Sequence, residues 1–515
     1  MPYSSYPYAR TQPDRLCTLA RLFRLAPAEP SRCRVLELGC ASGGNLVPMA
    51  ERAPESEFVG VDLSARQIDD GRHMVAALGL RNVELRHASI LDVDASWGTF
   101  DYVICHGVYS WVPPEVQSHI LAICSERLAP QGIGYVSYNT YPGWHVREMV
   151  RHMMRWHVRG FAEPLRRVEQ SRALIDFLAR AVADQAGPYG ALLGKELAIL
   201  RRAGDDYLYH EHLEDCNAPI YFHEFAERID RHRLQYLCES DVHMMLAREF
   251  PDDVRATLDR VAPDLVRMEQ YVDFVRNRQF RASLVCHADA QPSRALGPES
   301  VMGLRIGFAG AQDDVPCDLS PGLPHAFEGV EGMRITSEQP ITKAALLILR
   351  RLWPGDLAFD ELWRRAAGLL AEAGLDVGDE QQSRARLGGD FLECLMGGGG
   401  LELRREAPGL VATPGEHPRT SASARWLARA RGWAASGRHQ RVDLDAVAIE
   451  IVCAADGTRD RDALLEALIV QAQSGVLAVH ADDERIVDPD ELREPLREVM
   501  DRTIELLARY GLFVA

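Results

Sequence analysis

Glu37, Gly39, Gly43 and Gly44 fall close together in the run Cys33-Arg-Val-Leu-Glu-Leu-Gly-Cys-Ala-Ser-Gly-Gly44. Glycines and the small Ala41 let a backbone approach a ligand that a larger Cβ would push away. A carboxylate two residues before the first glycine repels a pyrophosphate but suits a ligand carrying positive charge. Further on, Val59-Gly60-Val61-Asp62 ends in a second acid, placed where ribose hydroxyls would lie. A ribose joined to an ammonium and a sulfonium describes S-adenosylmethionine, and that is the cofactor the pattern implies. A dinucleotide site would instead spell Gly-x-Gly-x-x-Gly and turn a helix N-terminus toward phosphate.

Two later clusters carry the groups an alkyl acceptor site needs. His106-Gly-Val-Tyr109-Ser-Trp111 follows one apolar run, and Asn139-Thr-Tyr141-Pro-Gly-Trp144-His145 follows another. Aromatic faces suit a cationic donor and stabilise an alkylated nitrogen by cation–π contact. Transfer of a methyl group is an in-line displacement, so the protein aligns the acceptor, excludes water and removes one proton. His106 or His145 would take that proton, or Tyr109, Tyr141 and Asn139 would orient the lone pair. Trp111 and Trp144 either line this pocket or pack between domains.

These residues need strands whose ends meet at one edge. Val35, Leu36 and Leu38 form the first strand, and residues 67–80 read as a helix closed by Gly79. Strands follow at 83–90, 100–106 and about 132–138. Residues 147–204 read as an inserted helical stretch with a stripe through Leu165, Val168, Leu174, Phe177, Leu178 and Ala181; it would cap the site or pair with a second copy.

The run Glu37-x-Gly39-x-Ala41-x-Gly43 resembles the first motif of class I methyltransferases, with Ala41 in the middle glycine's place. The phrases Tyr138-Asn-Thr-Tyr-Pro-Gly-Trp-His145, Tyr209-His-Glu-His-Leu-Glu-Asp215 and Tyr221-Phe-His-Glu-Phe225 resemble the methyltransferases with a methyltransferase regulatory domain, including the rickettsial protein lysine methyltransferases. Residues 416–468 look like that group's C-terminal domain. The resemblance implies an α/β fold: a seven-stranded Rossmann-like sheet with a helical insertion, then two mainly helical winged-helix-like domains. A helix at 222–231 leading into Leu234-Gln-Tyr-Leu, and a closing strand at Phe280–Cys286, would complete the sheet. It implies a cofactor face of Glu37, Gly39, Cys40, Ala41, Gly43, Asn45, Asp62, Leu63, Gln67 and His106, with Ser89 and Ile90 against the adenine. Tyr6 and Tyr8 would fold over the donor as a lid.

The expected divisions are a methyltransferase core at 1–146, the insertion at 147–204, the rest of the core with the regulatory region at 205–294, a middle domain at 295–414 and a C-terminal domain at 415–515. Gly, Pro and Asp recur through 295–320, which reads as a loop-like boundary. After it, a helix from Thr342, a second from about Ala358 and a hairpin beyond Gly397–Gly400 suggest the first winged module. The second has helical spacing at 444–454, 461–473 and 490–510.

A formal charge of −17 argues against nucleic acid, and acidic residues stud both winged modules where a basic recognition stripe would be needed. Basic protein or peptide acceptors suit that charge. Only Lys195 and Lys343 are lysines among 58 basic residues, as a GC-rich genome would produce. The N-terminal residues lack a basic segment followed by an apolar one, and no run reaches membrane-spanning length, so a cytoplasmic protein without membrane insertion is expected. Eleven scattered cysteines give no disulfide framework. His210, His212 and His223 around Glu211 lack tight ligand spacing, so no metal is expected. The leading reading is an S-adenosylmethionine-dependent methyltransferase with protein lysine as acceptor. Its rivals are a small-molecule N- or O-methyltransferase and a cofactor-sensing scaffold without turnover.

Overall fold

The computed structural model describes residues 3–183, 187–245, 247, 250–311, 315–481 and 484–515. Seven strands form the main sheet: β1 (Arg34–Leu38), β2 (Glu57–Asp62), β3 (Val83–His87), β4 (Phe100–Cys105), β5 (Leu128–Asn139), β6 (Leu234–Glu239) and β7 (Phe280–His287). Their order is β3-β2-β1-β4-β5-β7-β6. The first five run parallel, and β7 lies antiparallel between β5 and β6. Because helices cover both faces, Val35, Leu36, Leu38, Tyr102, Val103 and Ile104 are fully buried, as the continuous apolar runs require. The chain leaves β1 toward β2 on one side and β4 on the other, which opens a crevice at the C-terminal ends of these strands.

Local signals set several boundaries. Ser64 caps the helix Ala65–Leu78 by accepting the N–H of Gln67, and Gly79 ends it at φ +66°. That helix starts two residues before the expected position. β3 stops at His87, short of the expected Ile90, because Ser89 accepts the N–H of Leu91 and starts a 3₁₀ turn. Asp92 closes this turn by accepting the N–H of Ser89 at 2.8 Å.

At the far side of the sheet, Arg281 of β7 is wholly buried and binds Glu239 at 2.7 Å, Glu269 at 2.9 Å and Asp273 at 2.8 Å. Arg278 adds a second buried cation, 3.2 Å from Asp273. Three acids thus face two arginines. Burial pushes the Glu269 carboxyl up to about 7 against the pull of Arg281 and Arg278.

After β5, the helices Trp144–Val158, Pro164–Val182 and Pro188–Arg202 pack around Val150, Met154, Val168, Ile175, Leu193 and Leu197, a core of their own. The C-terminal residues hold another, with Ile451, Leu465, Leu468, Leu492, Met500 and Leu507 inside. Between them, the helices Pro340–Leu352, Phe359–Glu372 and Glu380–Met396 share the large core of the main sheet. The strand Leu401–Arg404 does not fold back locally as the expected hairpin. It pairs antiparallel with Arg305–Phe308, a strand inside the segment expected to be a loop. A four-residue strand is too short to show through its Gly- and Pro-rich surroundings.

The C-terminal part docks on the sheet layer. Its helix Ala422–Arg431 is capped from outside by Glu51, whose carboxylate accepts the N–H groups of Ala422 at 2.6 Å and Ser423 at 3.0 Å. Leu427 and Trp433 pack against Val47 and Met74 beside it. Among the described residues no helix is long and apolar enough to cross a membrane.

Candidate active site at the sheet crevice

The turn after β1 needs unusual backbone. Gly39 has φ +77°, and a Cβ there would lie 2.4 Å from the Val108 side chain. Ala41 occupies the left-handed region at φ +47°, a conformation costly for a residue with a Cβ. Asp62 holds it there: one carboxylate oxygen accepts the Ala41 N–H at 2.9 Å and the other accepts the Ser64 N–H at 2.8 Å. The acid ending β2 therefore fixes the turn after β1 and still offers lone pairs to the crevice. Cys40 is buried, and burial pushes its thiol well up, so it is an inert spacer.

Glu37 lies under this turn, only 5% exposed. One oxygen accepts from the side-chain amide of Asn45 at 2.7 Å, while the other has no hydrogen-bond partner. Burial, reinforced by Asp62, pushes the carboxyl up to about 7 against the pull of that amide. A buried, half-satisfied carboxylate is costly unless a cation completes it. An ammonium group on a ligand in the crevice would do so, and the small residues above leave space for it. The residues present thus fit S-adenosylmethionine.

Residues 3–12 run across the mouth of the crevice. Ser5 accepts the N–H of Gly44 at 2.8 Å, and Gln67 donates to the Tyr3 carbonyl at 2.8 Å. Tyr6 and Tyr8 stack with ring centres 5.1 Å apart, and Tyr8 lies 3.8 Å from the His106 ring. Leu63, 74% exposed, projects beside Asp62, and Ser89 and Ile90 form the 3₁₀ turn beyond β3.

On the acceptor side, His106 follows β4, one residue beyond its end at Cys105, with Nδ1 3.1 Å from the Tyr135 hydroxyl and 3.2 Å from Ser137 Oγ. Burial, with Arg10 nearby, lowers its imidazole to about 4, so it is neutral near pH 7 and a weak base. Asn139 is buried at the end of β5, where its side chain faces Asn217 at 3.4 Å. Tyr141 is partly exposed; its hydroxyl donates to Glu148 at 3.0 Å and its ring stacks on His145 with centres 4.0 Å apart. Tyr221 adds a third ring, 5.3 Å from Tyr141.

Two candidates fall elsewhere. Tyr109 is wholly buried between Tyr138 and Phe225, and Trp144, 1% exposed, is packed edge-on against Trp111. Their size serves packing, because a parallel sheet buries whatever its loops turn inward. His210 binds Glu214, His223 binds Gln270, and His212 is buried with its imidazole lowered to about 3. Among the described residues no group of three or more potential ligands gathers to hold a metal. Glu148 and His439, which donates to Asn45 from the C-terminal part, carried no motif that pointed to them.

A parallel sheet closed by an antiparallel seventh strand, with an acid before the first glycine turn and another ending β2, defines a class I S-adenosylmethionine-dependent methyltransferase. Family models agree along the chain: a methyltransferase domain at residues 35–132, a predicted methyltransferase regulatory domain at 204–287 and the PKMT C-terminal winged helix domain at 416–512. The chain is 34% identical to the uncharacterized protein RP789 of Rickettsia prowazekii, an alignment covering 100% of this chain and 93% of that protein. A second protein of that organism, RP028, is 38% identical over 45% of this chain and 92% of its own length. PKMT2 from Rickettsia typhi superposes over 100% of both chains with TM-score 0.89 and 29% identity. Its complex with AdoHcy gives TM-score 0.88 and 30% identity, again over 100% of both chains. The chain belongs to this family of methyltransferases, which joins a regulatory domain to a PKMT-type winged helix.

Proposed function

We propose that this methyltransferase acts on lysine side chains of protein acceptors. The likeness to PKMT2 over both full chains, with the winged-helix end included, is the observation that carries this reading. A separate cavity of about 630 Å³ lies between the N-terminal segment and the later domains, lined by Arg10, Asp241, Gly398–Gly400, Arg438 and Tyr510.

In this reading Glu37 takes the cofactor's ammonium, the turn from Gly39 to Gly43 lies along it, Asp62 meets the ribose, and Leu63, Ser89 and Ile90 flank the base. Bound S-adenosylmethionine supplies an electrophilic methyl group. His106 accepts a hydrogen bond while staying neutral, because its proton affinity is too low to deprotonate an ammonium. Tyr141 keeps its proton, which burial and Glu148 hold firmly. The hydroxyl hydrogen points at Glu148, so the phenol oxygen's lone pairs face the incoming amine, which has released its ammonium proton to water and attacks as the neutral nitrogen.

Incubation with isotope-labelled S-adenosylmethionine and lysine-rich protein, followed by hydrolysis to amino acids, tests this. The expected product is Nε-methyllysine, and Tyr141→Phe lowers turnover by about tenfold or more without changing cofactor affinity. Label confined to the low-mass fraction would replace the protein acceptor with a small molecule.

A further inference from the structure

Asn45 has capacity for four hydrogen bonds through its amide, and all four are used. Its nitrogen donates to Glu37 at 2.7 Å and to Thr11 Oγ1 at 3.0 Å. Its oxygen accepts the backbone N–H of Tyr8 at 3.0 Å, faces His439 Nε2 at 2.7 Å and lies 3.2 Å from Thr11 Oγ1, whose hydroxyl hydrogen is shared with the Tyr8 carbonyl at 2.8 Å. A backbone N–H can only donate, so the amide orientation is fixed, and His439 must carry its proton on Nε2. The imidazole's other nitrogen accordingly has no partner.

His439 sits in the turn between the short strands Trp433–Ala435 and Arg441–Asp443, the wing of the C-terminal domain. It is 1% exposed and has φ +61°, a strained backbone for a residue with a Cβ. Neighbouring groups drive this turn inward. Arg438 donates to the Pro354 carbonyl at 2.6 Å, lies 3.8 Å over the Trp353 ring and pairs with Glu402. Arg52 donates to the Gly437 carbonyl. The wing tip thus reaches the polar network beneath the first glycine turn.

We infer that His439 is a positioning residue for the cofactor: it locks the Asn45 amide so that one Glu37 oxygen is held and the other is left for the cofactor's ammonium. The C-terminal domain thereby completes the donor site through a single side chain. This rests on the reading of Glu37 as the ammonium's partner. Without the His439 donor, the Asn45 oxygen keeps the Tyr8 N–H and the Thr11 hydroxyl but loses its shortest contact in a dry site, and the amide is held less firmly against Glu37.

The test measures S-adenosylhomocysteine affinity by calorimetry between pH 5.5 and 9, together with apo-protein melting. His439→Asn, whose amide falls short of Asn45, is expected to bind about tenfold more weakly, the worth of one ordinary hydrogen bond. Its pH midpoint moves to higher pH, because Glu37 keeps its burial and the neighbouring Asp62, which push it up, but loses the amide that pulls it down; the nearby thiols of Cys40 and Cys105 are pushed up by burial and stay uncharged. His439→Gln puts an amide nitrogen near the Nε2 position and restores both affinity and midpoint. The charges nearest residue 439, Arg52 and Arg404, are unchanged in each variant. Leu465→Ala weakens the core of the same domain without touching the turn or Asn45, and it lowers melting while leaving the pH midpoint in place. Equal binding by the Asn and Gln variants, or an equal midpoint shift in Leu465→Ala, would overturn the inference. Glu37→Gln binding at wild-type strength would remove the premise itself, an outcome distinct from both.

Discussion

Glu37 and Glu239 are both buried glutamates at strand ends of one sheet, each 4–5% exposed, and they differ in what surrounds them. Glu239 is saturated: Arg281 and Ser283 each donate to one oxygen at 2.7 Å, and the Ala282 N–H donates to the other at 3.0 Å. Its carboxyl is held below the usual range despite burial, with Arg281 the largest favourable influence. Glu37 has one amide and an orphaned oxygen, and its carboxyl is pushed up to about 7. Two residues of one type thus serve opposite ends. The satisfied acid ties the outer strands together, whereas the unsatisfied one is a place kept for a cation that the protein does not supply.

Substitutions separate these roles. Arg281→Met strands Glu239 in the interior, leaves Asp273 and Glu269 to Arg278 alone, and is expected to cost about 3–5 kcal/mol of folding stability, measured by chemical denaturation, since removing one partner of a buried ion cluster leaves uncompensated charge. A loss under 1 kcal/mol would mean that the cluster is not what binds the outer strands.

Glu37→Gln should do the reverse, keeping the fold and weakening S-adenosylhomocysteine about 10- to 100-fold in calorimetry, the worth of a charge-assisted hydrogen bond. The pH dependence gives the sign. A carboxyl raised from 4.5 to about 7 by folding binds a proton more tightly in the folded state. Its contribution to stability is therefore complete below pH 4.5, falls as pH rises, and is gone above about pH 7. Glu211 and Glu269 shift in the same direction, so the wild-type slope is composite. The difference between wild type and Glu37→Gln across this range isolates Glu37, and parallel stability curves would refute its raised proton affinity. The smallest effect is Ser283→Ala, which removes one donor from Glu239. It should cost about 1 kcal/mol in denaturation and leave cofactor affinity unchanged.

What could be read in the sequence follows from the range of the forces involved. The turn from Gly39 to Gly44 and the acid at Asp62 are legible because a tight turn after a buried strand restricts local residue types. Helix ends at Gly79 and at 222–231 are legible for the same reason. The expected strand 83–90 runs past His87 because the strand pattern gives no place to the Asp92 that closes the turn at Ser89. For Trp144 the sequence leaves packing open beside a pocket role, and the structure shows packing; for Tyr109 no local pattern marks the turn that buries it. The pairing of Leu401–Arg404 with Arg305–Phe308, and the reach of His439 to Asn45, join residues far apart in sequence. No local pattern encodes such contacts, and the side of the sheet where Arg281 gathers its acids was silent for the same reason.

The position of β7 has a consequence for how the protein is made. The 12-residue β5 leaves the ribosome with its outer edge bare, and its partner on that edge is Phe280–His287. The whole helical insertion and β6 are synthesised in between, and the insertion has a core of its own on which to fold meanwhile. A nascent chain therefore carries a long open strand edge through much of its synthesis, a template for wrong pairing that only the late strand closes. Fragments ending between residues 140 and 279 keep that edge and belong in the insoluble fraction, whereas a fragment ending after 287 has it sealed.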